Sequence, residues 1–273
     1  MVQDFSYHTH TNTFGLFDGQ NSIKEMIDRA KALGWSHMGI SNHMVVHPDV
    51  KTGGCFFPDY GRAEEIYKRL VDEIRVAAIK ENFPVLVGFE VDYFRDPTWE
   101  KWFERFVPTL GADYLIGSTH VWGKDATKGF LFFTSDASGT PLPPEEIRPH
   151  MDFYFETQKT LIRSGYFTFL AHMDLGRRYK VDNGTDFKEQ KEELIEEIIK
   201  AQLPVEINTS AFAFGMTEPH PSVWILKELK KADIPVVISD DTHSAVHLGF
   251  NFDKAEDLLK NLNYTKRLRL PLQ

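Results

Sequence analysis

The sequence predicts an α/β fold in which parallel strands and helices alternate to form a β/α barrel. Three observations lead there. Short apolar runs alternate with amphipathic helical stretches along the whole chain. The 273 residues suit one barrel, expected as a single unit over 1–273. Finally, nearly every apolar run ends in histidine or an acid, as in YHTH, ISNH, GFEVD, IGSTH, FLAH and SDDTH. Such ends converge on one face of a closed barrel, whereas an open sheet would spread them apart.

Taken in order, FSYHTH reads as the first strand and SIKEMIDRAKALG as the first helix. Ser22 and Glu25 are spaced as a capping box, and Gly34 closes the helix. SHMGISNH is the second strand, followed by a long helix from Tyr60 to Asn82. FPVLVGFEVDYF is the third strand, and Pro97 suits the first position of the next helix. ADYLIGSTH is the fourth strand. A loop rich in Gly, Ser and Pro follows to Pro144, then a helix that Pro149 is expected to break or delay. FTFLAH, LPVEINTS and IPVVISDDTH complete seven strands. The remaining helices are FKEQKEELIEEIIKAQ, SVWILKELKKAD (with Pro221 placed to start it) and KAEDLLKNL.

Composition excludes several classes. The net charge of -9 argues against broad nucleic-acid binding. No apolar run reaches eighteen residues, so no membrane helix is expected, and MVQDFSYHTH does not read as a signal peptide. Cys55 is the sole cysteine, which excludes an intrachain disulfide and makes a reducing cytoplasm the default. Its loop context, GGCFFP, does not favour a catalytic thiol. There is no G-x-S-x-G, C-x-x-C or Walker loop.

The chemistry lies in the strand ends. His8 and His10 are two apart, as are Asp241 and His243, and alternate residues of a strand share a face. Asp240 competes with Asp241 for the acid role, although the spacing favours Asp241. Imidazoles and carboxylates converging in one pocket suit divalent transition metals. Arg177 and Arg178 follow His172 closely, and arginine forks suit phosphate. Asn208 ends the sixth strand, where it is expected near the rim, with Asp174, to orient water or substrate. Phe212, Phe214 and Trp122 are placed to line a pocket, with packing as the plainer reading. His47 and His220 read as loop histidines, and His37 as lying away from the site.

HTHTNTFGLFDG, ISNH, GFEVDYF, IGSTH, LAHMDLGRRY, EINTS and SDDTHS occur in that order. Together they resemble the PHP (polymerase and histidinol phosphatase) superfamily, in particular its histidinol-phosphatase branch, over essentially the whole chain. The resemblance implies a distorted, TIM-like (β/α)7 barrel with three divalent metal ions, zinc, iron or manganese. His8, His10, Glu90 and Asp241 would hold the first metal. Glu90 would bridge to a second, held also by His120 and His172. His43 and His243 would hold the third with an acid from the loop after the first strand, here Asp18.

The implied activity is hydrolysis of L-histidinol phosphate, in histidine biosynthesis, by a metal-bound hydroxide that Asp241, His243 and Glu90 shape. A strongly positive metal pocket attracts a dianionic phosphate monoester despite the acidic chain. The expected partner is therefore a small phosphate ester, not nucleic acid or membrane. After EINTS the chain reads AFAFGMTEPHPS, where close relatives carry a glycine and then basic residues. That departure concerns substrate recognition and leaves open another small phosphomonoester or nucleotide. Less favoured are a nuclease, which would want a basic track, and a non-enzymatic metal-binding barrel.

Overall fold

A computed structural model describes residues 2–50, 57–125, 129–132 and 143–272. Cys55 lies outside the described residues, as does the side chain of Trp122. The chain runs through α1 (Ile23–Ala32), β1 (Met38–Ile40), β2 (His43–Met44), α2 (Ala63–Glu81), β3 (Val85–Asp92), α3 (Pro97–Phe106), β4 (Tyr114–Ser118), β5 (Val121–Asp125) and β6 (Gly129–Phe132). It continues through α4 (Pro144–Ser164), β7 (Phe169–Leu170), α5 (Lys188–Ala201), β8 (Val205–Asn208), α6 (Ser210–Ala213), α7 (Val223–Lys231), β9 (Val236–Ser239) and α8 (Phe252–Asn261).

Seven parallel strands form one sheet in the order β1-β3-β4-β7-β8-β9, with β2 also paired to β3. The sheet curls into a half-barrel, a distorted form of the TIM barrel. The expected first strand closes it without forming a regular ladder. Its backbone bonds to one outer strand through Gly39 N–Ser6 O (2.7 Å) and to the chain after the other through His10 N–Thr242 O (2.9 Å). Only Thr9 forms a bridge, to Thr242. Side chains supply the missing acceptors: Thr9 N donates to Ser41 Oγ and Thr11 N to Asn42 Oδ1. The expected fifth strand shrinks to two residues for the same reason, since His172 N donates to the Glu206 carboxylate.

Local signals explain most helix ends. Ser22 and Glu25 form the reciprocal capping box of α1, and Gly34 lies just beyond it at φ 72°. Asp96 caps α3, with Pro97 in its first turn. Two expectations change. α4 runs unbroken through Pro149, because a proline there forfeits only its own bond to the carbonyl of Glu145 while the rest of a 21-residue helix holds. Pro221 does not start α7; Ser222 is its N-cap. The stretch expected as a loop after His120 contains an antiparallel hairpin, β5 with β6.

The barrel interior is divided along its length. Alternate residues of β3, β4 and β9 point inward. Near the strand N-termini these are Leu86, Tyr114, Ile116 and Val237, which pack with Phe5, Tyr7, Phe169 and Ala171. Near the C-termini the inward positions become Glu90, Asp92, Ser118, Ser239 and, on β8, Glu206 and Asn208, all buried. His37 packs at the apolar end, stacked on Phe5 and bonded to Tyr7. The outward faces of the strands join the large core beneath the helices.

Tyr114 sets the spacing of the apolar end. It lies opposite Gly88 in register, and its hydroxyl reaches across Gly39 to the Tyr7 carbonyl (2.5 Å). A methyl group on Gly88 would sit 2.1 Å from Tyr114 Cζ. Gly88→Ala is therefore expected to cost about 1–3 kcal/mol through overpacking. An unchanged midpoint in urea unfolding would refute that account of the barrel floor.

Candidate metal centre

Glu90 sits at the centre of the polar end of the barrel, fully buried on β3. Its Oε2 lies 3.1 Å from His8 Nε2, 2.8 Å from His43 Nδ1 and 3.6 Å from His10 Nε2. Its Oε1 lies 3.0 Å from His172 Nε2 and 3.6 Å from His120 Nε2. Asp241 Oδ1 adds contacts of 3.3 Å to His8 and 3.2 Å to His10. Asp18 Oδ2 lies 3.0 Å from His243 Nε2 and 3.3 Å from His43 Nε2. Residues far apart in sequence meet because each occupies a strand end or the loop just after it.

Three groups of donor atoms lie close enough to hold a metal ion: His8, His10, Glu90 and Asp241; His43, Glu90 and His120; and His10, Asp18, His43 and His243. Several polar atoms of these residues are buried without a hydrogen bond, namely His8 Nε2, His10 Nδ1, His43 Nδ1, Glu90 Oε2 and Asp18 Oδ1. Buried polar atoms are rarely left so. Imidazole and carboxylate donors turned toward one another fit divalent cations.

The electrostatics agree. Burial alone would raise the Glu90 pKa, but the imidazoles of His8, His43 and His120 hold it well below the usual carboxylate range. Asp241 is likewise held low against burial by His8 and His10, and Asp18 by His43 and His243. Burial, with repulsion from His243 and His43, lowers His10 to about 3. These groups are thus in the deprotonated form that binds metal. His8 and His43 behave oppositely. Burial lowers them, yet the carboxylates of Glu206, Glu90 and Asp241 around His8, and of Glu90 and Asp18 around His43, raise both well above the usual imidazole range.

A supporting layer fixes the ligands. Glu206 accepts a bond from His8 Nδ1 (2.6 Å) and is also bonded to His172 N, Asn208 Nδ2 and Ser239 Oγ. Asp92 accepts from His120 Nδ1 (3.0 Å) and from its backbone N–H. Carboxylates behind ligating histidines orient the ring and raise its basicity. Neither residue is among the ligands expected from the sequence. The available signals were a lone acid inside the apolar run LPVEINTS and an acid two residues beyond Glu90 on the same strand face.

The chain separates Asp240 from Asp241. Asp241 adopts φ 47°, a left-handed conformation that aspartate tolerates better than most residues, and turns into the cluster. Asp240 instead accepts from Ser6 Oγ and Gly249 N, and burial pushes its carboxyl up to about 7.

The expected substrate contacts fare differently. Asn208 is buried rather than at the rim: its Nδ2 donates to Glu206 and to Asp241 Oδ2 (3.2 Å), and its Oδ1 accepts from Ser210. With both ends of its amide committed, it orients Asp241 rather than solvent. Asp174 is also buried, accepting from His220 Nδ1 (2.6 Å), Ser222 N (2.8 Å) and Arg177 Nη1 (3.0 Å). His220, expected as an ordinary loop histidine, is therefore a buried partner. Arg177 also donates to Pro219 O (2.7 Å) and ties the loops after β7 and β8 together. Arg178 lies with its guanidinium 3.7 Å from the Phe214 ring centre. Phe214 is mostly exposed, and Phe212 packs under Lys254.

Residues 6–210 match the PHP domain family. The chain is 24% identical to a protein of Schizosaccharomyces pombe named "Probable histidinol-phosphatase", over 95% of this chain and 87% of that one. It is 24% identical to a Deinococcus radiodurans protein of the same name, over 66% and 67%. Its fold is similar to that of histidinol phosphate phosphatase from Lactococcus lactis, solved with zinc, L-histidinol and phosphate. The TM-score is 0.71 at 16% identity, covering 98% of this chain and 96% of that one. No helix among the described residues is long and apolar enough to cross a membrane. The barrel, its buried metal-binding clusters and the match over residues 6–210 together establish that the chain belongs to the PHP family of metal-dependent hydrolases.

Proposed function

We propose that this chain is a phosphomonoesterase that hydrolyses L-histidinol phosphate to L-histidinol and inorganic phosphate with three divalent ions, zinc, iron or manganese. The observation that carries the reading is Glu90, one buried carboxylate shared by imidazoles from four segments and common to two of the three donor groups. The names of the fungal and bacterial relatives, and the ligands of the Lactococcus protein, support the choice of substrate.

In this reading His8, His10, Glu90 and Asp241 would hold the first ion, Glu90 with His120 and His172 the second, and His43, His243 and Asp18 the third. His43 also lies with Glu90 and His120, so its ring stands between the second and third positions. Ions bound there supply Lewis acidity toward a phosphoryl group and an activated water, so no protein nucleophile is needed. Glu206 and Asp92 keep His8 and His120 in the tautomer that leaves Nε2 to the cluster. Asn208 orients Asp241. Arg178 contacts phosphate, while Arg177 braces the loop that carries both arginines.

One observation favours a second reading, a phosphatase for a different small ester. From Ala211 to Pro221 the loop after β8 contains no lysine or arginine, and it presents Phe214 at its surface. Phosphate release from L-histidinol phosphate, beside a panel of phosphomonoesters and with metal restored to stripped protein, decides between them. A metal-dependent rate about a hundredfold above the panel is expected for the named substrate. Preference for another ester would keep the chemistry and replace the substrate, and no release from any ester by metal-loaded protein would favour a non-enzymatic barrel.

Two further outcomes follow from the geometry. Glu90→Ala or His10→Ala should cut turnover by orders of magnitude. Glu206→Gln, although it touches no proposed metal position, should lower metal affinity or activity by about 10–100-fold. Wild-type values for Glu206→Gln would remove its supporting role. Because His8 and His43 are raised above the usual imidazole range, a metal must displace their protons. Affinity should therefore rise with pH through the neutral range, with protons released. Calorimetry in buffers of different ionisation enthalpy tests this, and a binding heat independent of buffer would refute it.

A further inference from the structure

The two adjacent arginines after β7 have opposite surroundings. Arg177 is largely buried and committed to Asp174 and the Pro219 carbonyl, with Glu218 3.8 Å away. The Arg178 side chain makes no hydrogen bond or ion pair among the described residues. Its guanidinium carbon lies 3.7 Å from the centre of the Phe214 ring, with the ring of Tyr179 at 5.5 Å. So short a distance to the ring centre requires approach over the ring face, the geometry in which a cation is attracted to an aromatic. A stacked guanidinium keeps its in-plane N–H donors available at its edge.

Both members of the pair are tied to the cluster. Arg178 follows a short turn, Leu175–Arg177, that begins just after His172. Phe214 ends the short helix α6, whose first residue, Ser210, bonds to Asn208 Oδ1; Asn208 in turn donates to Asp241. The stacking therefore joins the loops after β7 and β8. Phe214 is 53% exposed, so the ring contributes little to the core. An exposed phenylalanine thus lies beneath an arginine whose side chain has no hydrogen bond or ion pair among the described residues.

We infer that Phe214 is a positioning residue for phosphate binding: its ring holds the Arg178 guanidinium at the mouth of the metal cluster with its N–H edge turned to the phosphate of the substrate. A long arginine side chain loses rotamer entropy when it binds an anion. A platform that restricts it beforehand removes part of that cost. The inference rests on the phosphatase reading for the identity of the anion. It assigns Phe214 to holding a cation rather than to contacting an organic leaving group.

The test is a double-mutant cycle on zinc-loaded protein, with inorganic phosphate as the probe and its dissociation constant read by calorimetry. Arg178→Met should weaken phosphate binding about tenfold or more, as expected for loss of charged hydrogen bonds. Phe214→Ala should weaken it about two- to fivefold, the scale of one exposed cation–π contact. Phe214→Tyr, which keeps the ring, should restore wild-type binding. In the Arg178→Met background, Phe214→Ala should have no further effect. Unchanged binding in Phe214→Ala, or its full cost persisting without Arg178, would overturn the inference. The calorimetry needs no turnover, so the two readings fail separately. Coupled variants in a protein that hydrolyses no ester would retain the pair and remove the phosphatase. Additive variants in an active phosphatase would do the reverse, and no phosphate binding by the wild type would overturn both.

Discussion

A buried carboxylate surrounded by imidazoles is the constraint from which the rest of the barrel follows. Glu90 has no solvent exposure, and a charge in such a place is costly unless it is paired. Its partners come from the first extended segment, β2, the turn after β4, the turn after β7 and, through Asp241, the turn after β9. Each arrives only if the parallel register is right. His43 lies directly opposite Glu90 in the β2–β3 ladder, and a shift of one residue would turn every inward side chain outward.

Rigidity comes from behind the ligands. Glu206 joins His8, the backbone of His172, Asn208 and Ser239, so one carboxylate links four segments of the barrel. Asp92 does the same on a smaller scale for His120 and Val121. The Glu206 bond to His172 N accounts for the short fifth strand, as the bonds to Ser41 Oγ and Asn42 Oδ1 do for the irregular first; the expected second strand is likewise split into β1 and β2. Side-chain acceptors replace ladder partners where the chain bends toward the cluster. The regular sheet is kept where the interior is apolar and Tyr114 fills it against Gly39 and Gly88.

The mouth is organised by a different buried acid. Asp174 gathers His220, Ser222 and Arg177, and so joins the loop after β7 to the loop after β8. Burial would raise its pKa, but His220 and Arg177 hold it low, so the joint is an ionised one. With Arg177 used in this way, Arg178 stacks on Phe214 instead. Two neighbouring residues of the same type thus divide into a brace and a cation stacked on an aromatic ring by the direction of their side chains alone.

Much of this was legible in the sequence because it depends on period and position. Alternating apolar runs and amphipathic stretches follow from backbone hydrogen bonding and burial, which are local, and they gave the parallel α/β barrel. The capping box at Ser22 and the start of α3 at Pro97 are also local. Histidines and acids at strand ends mark a convergent face whatever the details of packing. Other features depend on which side chains meet across the barrel, and no local pattern encodes that. The separation of Asp240 from Asp241 rests on one left-handed residue after β9. The burial of Asn208 and His220, the roles of Glu206 and Asp92, and the contrast between Arg177 and Arg178 rest on partners about thirty or more residues away or on a loop's path over its neighbour. The sequence by itself determined the elements and the kind of chemistry at their ends; tertiary structure decided which polar groups face the cluster and which brace it, because a buried polar atom takes whatever partner the packed fold brings within hydrogen-bonding distance.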